Sequence, residues 1–279
     1  MGRMEAAFFD LDKTVIAKPS IMAFARDFRR EGLLTRRTMA KGLWLQVVYV
    51  HVGAGSKKLA RVRQSVLALT TGWDQALVRR VVSEGLSSAI DPITYAEARE
   101  LIDEHRLAGR RVYLVSAAPA EIVEPLAQHF GAHEALASVA RVDRDGRYTG
   151  DVERYAYGPE KASLIRHLAT RDGLDLTASW AYSDSATDVP MLETVGHPVA
   201  VNPDRALRRI AQLRGWEIQR FERTLEPSPV TAKAEPDRLA PAVAGRGRLS
   251  WALWGSAAAA VVAAAGGAGA VAWRYRSVS

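Results

Sequence analysis

The chain has 279 residues, 48% of them hydrophobic, with no cysteine and a formal net charge of +7. That is enough for one good-sized α/β domain with an insertion, and it excludes disulfides and thiolate metal sites. The positive balance suits an anionic substrate or an anionic membrane face; without a nucleic-acid motif or interleaved aromatic and basic residues, nucleic acid is not an expected partner.

Met1-Gly2-Arg3-Met4-Glu5 runs straight into the apolar stretch Ala6-Ala7-Phe8-Phe9, which predicts a first strand over 5–10 and leaves no room for a signal peptide. Asp10-Leu11-Asp12-Lys13-Thr14 follows. On a strand, carboxylates two residues apart share a face and repel each other. A bivalent cation is the usual way to hold such a pair; the other reading is a solvated turn that caps the next helix. Residues 16–90 read mainly as helix. Phe24, Phe28 and Arg29 lie in one amphipathic stretch, and 59–69 and 74–86 are further helical candidates. Gly53-Ala54-Gly55-Ser56 interrupts the block. The apolar run 43–50 is too short to span a bilayer and is expected as core of this helical block.

From Arg111 strands and helices alternate. A strand over 111–116 ends in Ser116, and Pro119 opens a helix reaching about Phe130. Asp145-Gly146 is a hairpin turn between 138–142 and 147–150. Lys161 lies at the start of a helix over 159–169, and strand 179–182 leads into Ser183-Asp184-Ser185-Ala186-Thr187-Asp188. A short helix, a strand at 199–201, a helix over 204–214 and Trp216-Glu217-Ile218 complete the pattern of a doubly wound parallel sheet. Residues 222–248 are rich in proline, alanine and charge, and read as a linker. Residues 249–273 are expected to form a transmembrane helix, before a short tail over 274–279. From Trp251 to Trp273 there is no charged residue, Trp251, Trp254 and Trp273 sit at the two ends, and arginines flank both sides. As a helix the run is roughly 35 Å long. Its alanine and glycine content leaves a soluble or structureless tail as the other reading. With no signal peptide, the catalytic part is expected in the cytoplasm, anchored to the membrane.

Taken singly, the polar residues have ordinary explanations. Ser116 is a strand-end hydroxyl, Lys161 a solvated helix residue, and Asp184 and Asp188 caps for the next helix. The six histidines have no metal-binding spacing and are expected at the surface. Taken in chain order, however, DxDxT, strand–Ser, Lys and SDxxxD form a series that resembles the haloacid dehalogenase-like superfamily, most closely its phosphoserine-phosphatase-like branch, subfamily IB. The resemblance covers about the first 220 residues, judged by element order.

It implies a Rossmann-like core (1–15 and 91–221) with a helical type 1 cap (16–90) inserted after strand one. It also implies a magnesium-dependent phosphatase. Asp10 would attack phosphorus, and Asp12 would protonate the leaving oxygen and then deprotonate water, its pKa raised by the neighbouring carboxylate. Mg²⁺ would be held by Asp10, the backbone carbonyl of Asp12, and Asp184. Ser116 and Lys161 would bind the phosphoryl oxygens, Asp188 would orient Lys161 or a metal-bound water, and Thr14 would support the Asp turn. Two departures set the chain apart from phosphoserine phosphatases. The stretch Val15-Ile16-Ala17-Lys18-Pro19-Ser20 lacks the glutamate that reads the substrate amine, and Thr187 stands where an asparagine is usual. Arg61 and Arg63 are candidates for a substrate anion or are ordinary basic surface. The expected substrate is therefore another small or lipid-derived phosphate. Two rival functions remain: a phosphotransferase of the same mechanism, and a membrane-anchored regulatory or binding protein on this fold.

Overall fold

A computed structural model describes residues 4–34 and 70–225. The apolar run 43–50, Arg61, Arg63, most of the expected linker and the whole of 249–273 lie outside the described residues. Among the described residues no helix is long and apolar enough to cross a membrane.

The described residues build a seven-stranded sheet in the order β4-β3-β2-β1-β5-β6-β7. The strands are β1 (Ala6–Asp10), β2 (Arg111–Pro119), β3 (Glu134–Val142), β4 (Tyr148–Arg154), β5 (Trp180–Ser183), β6 (His197–Val201) and β7 (Glu217–Gln219). All neighbours run parallel except β3 and β4, the hairpin expected around Asp145-Gly146. β3 is longer than the sequence indicated, because its first half pairs with β2; β4 also runs on, to Arg154. β1 sits at the centre, fully buried, which explains its unbroken apolar run. It is flanked by β2 and β5, and at this switch in strand order a crevice opens beyond the carboxyl ends.

Side-chain alternation divides the core in two. Ala7, Phe9, Val112, Leu114 and Tyr182 face one layer, with Phe24, Phe28, Val78, Val82, Ile102, Ile122 and Leu126. That layer is made by α1 (Ser20–Ala23), α2 (Ala25–Arg30), α3 (Gln75–Ile90), α4 (Ala96–Leu107) and α5 (Ala120–Phe130). Ala6, Phe8, Tyr113, Val115, Ala181 and Ala200 face the other, with Ile165, Leu168, Met191, Leu192 and Leu207. There lie α6 (Pro159–Asp172), α7 (Val189–Leu192) and α8 (Arg205–Arg214). The described part of the expected cap thus shares an apolar cluster with one face of the sheet.

Two differences from the sequence reading bear on the site. The helix α4 was not expected; its buried Ala98, Ile102 and His105 recur at helical spacing within a charged stretch. And β1 ends at Asp10, so Asp12 is not on a strand. The chain curls at once: Leu11 O accepts from the N–H groups of Thr14, Val15 and Ile16, and Lys13 takes a left-handed φ of 66°. The shared face expected for Asp10 and Asp12 is therefore absent.

Candidate active site

Parity along β1 sends Asp10 to the same face as Ala6 and Phe8, the face covered by α6. Lys161 is in the first turn of α6, and its Nζ donates to Asp10 Oδ1 at 2.5 Å and to Asp188 Oδ2 at 2.7 Å. All three residues are buried: Asp10 is 6% exposed, Lys161 3% and Asp188 3%. Asp188 Oδ2 also accepts from Ser183 Oγ at 2.7 Å. Ser183 ends β5, beside the end of β1, on the face that Ala181 shares. It was missed from the sequence, although it directly precedes Asp184. Thr14 Oγ1 donates to Asp10 Oδ2 at 3.3 Å, so Thr14 touches the first carboxylate itself rather than only its turn.

Asp12 is part-buried and turns toward the other layer, where its Oδ1 accepts the backbone N–H of Ser20 at 2.7 Å. Ser116 is one residue past Val115, the register partner of Asp10, and its Oγ accepts from Ala118 N at 3.1 Å. Asp184 follows β5. Its backbone O accepts from Asp204 N, while Asp204 Oδ2 accepts from Ala186 N, so the loops after β5 and β6 hold each other. Asp10, Asp12, Thr14, Ser116, Asp184 and Asp188 thus lie at or near the carboxyl ends of the central strands and Lys161 in the first turn of α6, while Arg61 and Arg63 fall outside the described residues.

The electrostatics follow from burial. Loss of hydration raises the Asp10 carboxyl well above the usual carboxylate range; Lys161 opposes this, and the charges of Asp188 and Asp184 add to it. Burial also raises Asp12, against the Ser20 hydrogen bond. Burial, rather than the neighbouring carboxylate named from the sequence, is the largest cause of that rise. Burial acts to lower the Lys161 ammonium, but the charges of Asp10 and Asp188 outweigh it and hold the lysine protonated. Asp184 is pushed up to about 7, chiefly by burial, which Lys13 opposes and Asp188 reinforces.

Among the described residues the Asp184 carboxylate makes no hydrogen bond, and no three His, Cys, Asp or Glu side chains form a ready-made metal cluster. The ligand set expected for Mg²⁺ has two carboxylates and one backbone carbonyl, and water and substrate complete such shells. An unpaired, half-buried carboxylate whose charge reaches Asp10 fits that set. Of the described histidines, His133, His167 and His197 are exposed, as expected, while His105 and His129 are not. His105 is 4% exposed and its Nε2 lies 2.8 Å from Tyr182 Oη; His129 pairs with Asp91, and His133 Nδ1 accepts from Val112 N.

Comparison with known proteins agrees with this geometry. Residues 7–193 match the family pattern described as haloacid dehalogenase-like hydrolase. An inhibition of morphological differentiation protein of Streptomyces azureus is 52% identical over 218 residues, 78% of this chain and 79% of that one. A probable phosphatase of Mycobacterium tuberculosis is 46% identical over 232 residues, 81% of this chain and 80% of its own. A phosphoserine phosphatase of the same organism is 38% identical over 218 residues, 77% and 70% of the two chains. A solved structure of a Bordetella pertussis protein of unknown function superposes with a TM-score of 0.67 at 29% identity, over 78% of this chain and 98% of that one. The chain belongs to the haloacid dehalogenase-like hydrolases, in their phosphoserine-phosphatase-like branch.

Proposed function

We propose that this hydrolase cleaves phosphate monoesters in two steps through an aspartyl-phosphate on Asp10. The observation that carries the reading is the buried Asp10–Lys161–Asp188 bridge beside a second, separately held carboxylate, Asp12. Asp10 Oδ2 bears only the long Thr14 contact, which leaves lone pairs for attack. The Asp10–phosphorus bond forms as the ester P–O bond breaks, and Asp12 gives its proton to the departing oxygen. Its raised pKa suits that role. In the second step Asp12 takes a proton from water, which displaces the phosphoryl group and frees Asp10. Lys161 offsets charge on the phosphoryl oxygens while Asp188 and Ser183 hold it in place. Ser116, near the carboxyl end of β2, holds another of those oxygens.

Asp10, the Asp12 carbonyl and Asp184 would hold Mg²⁺, which when bound supplies positive charge opposite the transferring phosphoryl group. The substrate in this reading is a small or lipid-derived phosphate, distinct from phosphoserine because the stretch 15–20 has no acid. A panel of phosphate monoesters, assayed for phosphate release with Mg²⁺ and with EDTA, tests it. Turnover should need the metal, and Asp10→Asn should lose on the order of 10³-fold or more.

The same reading takes 249–273 as a tether that keeps the catalytic part at the cytoplasmic face of a membrane. The uncharged, tryptophan-flanked sequence is its support. The full chain should then pellet with membranes and be released by detergent, and Val261→Arg should shift it to the soluble fraction. A wild-type chain that stays soluble would refute the tether.

A further inference from the structure

The segment that leaves the sheet after β7 packs back toward the loop that carries Asp12. Phe221, 5% exposed, is fixed to the sheet by Asn202: Asn202 Nδ2 donates to Phe221 O at 2.9 Å, and Phe221 N donates to Asn202 Oδ1 at 3.1 Å. The next residues pair antiparallel with the strap before α4. Ala96 N donates to Arg223 O at 2.8 Å and Leu225 N to Thr94 O at 2.9 Å. That strap pairs in turn with the loop after β1. Tyr95 N donates to Val15 O at 3.0 Å, and Ala17 N to Ile93 O at 2.7 Å. Loop, strap and exit segment thus form a narrow three-stranded ribbon, ending on the loop in which Lys13 N bonds Ile16 O.

Glu97 fastens the outer edge. Its Oε1 accepts from the backbone N–H groups of Glu222 and Arg223, each at 3.1 Å, and from Arg223 Nε at 3.4 Å. Arg223 Nη2 reaches both oxygens of Glu100, at 3.1 and 3.2 Å. Asp10, Lys161 and Asp188 hang on β1, α6 and the turn after β5, and among the described residues the loop touches this group only through the 3.3 Å Thr14–Asp10 contact. Asp12 lies within that loop and is bridged to Ile16, which the ribbon holds.

We infer that Glu97 and the exit segment 221–225 are positioning elements for Asp12, setting the place from which it transfers its proton. The inference rests on the general-acid reading of Asp12. Acid catalysis matters most when the leaving oxygen is a poor leaving group, so a displaced Asp12 slows an alkyl phosphate far more than an activated aryl phosphate. A merely structural ribbon would slow both alike.

The test uses the full-length protein carrying Leu225→Pro, which removes the N–H bonded to Thr94 O, or Glu97→Ala, with Glu97→Gln as the conservative variant. kcat/KM is measured for glycerol phosphate and p-nitrophenyl phosphate, with Asp12→Asn as reference. Leu225→Pro and Glu97→Ala should each lower the alkyl ester about tenfold, within the range that small misplacements cost. The aryl ester should change less than about twofold. Glu97→Gln, which keeps the acceptor oxygen, should restore the alkyl rate. If Asp12→Asn is selective for the alkyl ester but the ribbon variants slow both esters equally or neither, the inference is overturned. If Asp12→Asn itself shows no selectivity, the general-acid reading fails, and the positioning role falls with it.

Discussion

Replacing Lys161 by methionine should cost the fold more than any other single change in the site. The side chain volumes are similar, so the effect is electrostatic. Lys161, Asp10 and Asp188 are all almost fully buried, and the lysine contacts both carboxylates within 2.7 Å. Removing one member of such a group leaves uncompensated buried charge, worth about 3–5 kcal/mol. That is a large part of the roughly 5–15 kcal/mol that holds a typical domain. Asp10 relieves part of the cost by taking up a proton. Its folded-state pKa already lies above the ordinary value of 3.8, and loss of Lys161 removes the main influence that lowers it. The folded variant then binds more protons than the unfolded chain above pH 3.8, so its stability rises as pH falls and drops as pH climbs through the raised pKa. Urea unfolding followed by tryptophan fluorescence should show the deficit largest at pH 7.5 and smaller at pH 5.5. Adding Asp188→Asn to Lys161→Met should recover about 1–2 kcal/mol, because one of the two stranded charges is gone. A Lys161→Met protein that loses less than about 1 kcal/mol, with no dependence on pH, would show that the bridge is not a buried charge cluster.

His105, held down to about 4 by burial and then by Arg110, is neutral in the folded protein and protonates in the unfolded chain below 6.5. Stability is therefore lost as pH falls from 6.5 toward 4, by about 2 kcal/mol at pH 5; His105→Gln should flatten that part of the urea-stability profile. Asp184→Ala should raise the Mg²⁺ needed for half-maximal activity by more than the roughly 10–100-fold typical of losing an outer-shell partner. Ca²⁺, with its looser and higher coordination, should not support turnover. L-phosphoserine should not lead a substrate panel ranked by kcat/KM, since 15–20 carries no acid and Thr187 replaces the usual asparagine. A clear lead for phosphoserine would mean another group reads the amine.

The strand ends were legible because buried parallel strands are short apolar runs, and chemistry is displayed where they stop. Asp10 and the acids after Tyr182 mark such stops, whereas Ser116, expected as the last residue of its strand, lies within β2, which runs on to Pro119. Lys161 was legible only through its order among them. What escaped the sequence depends on chain direction after an element ends. Asp12 lies past the end of β1, in a loop that curls at once around Leu11 O, and no residue type announces that turn. Ser183 was read only as the residue that precedes Asp184, because its hydroxyl has meaning only once Asp188 folds back 2.7 Å from it. Helix α4 was hidden by its charge: Glu97, Arg99, Glu100, Asp103, Glu104 and Arg106 dilute a stripe of few apolar residues. The ribbon that joins 15–17, 93–96 and 223–225 is made of backbone hydrogen bonds between distant segments, which side-chain patterning does not encode.

The measurement that bears most directly on the proposed mechanism is the capture of the phosphoryl group on the protein. Mixing enzyme with a radiolabelled phosphate monoester and Mg²⁺ and quenching in acid within milliseconds should leave label on the denatured chain. That label should be released by hydroxylamine, as an acyl phosphate is, and mapped by peptide analysis to Asp10. Asp10→Asn should retain none, while Asp12→Asn, which removes the group that activates water in the second step, should retain label for longer than the wild type. Turnover by the wild type with no protein-bound label at any time, or label that maps to another residue, would contradict Asp10 as the nucleophile.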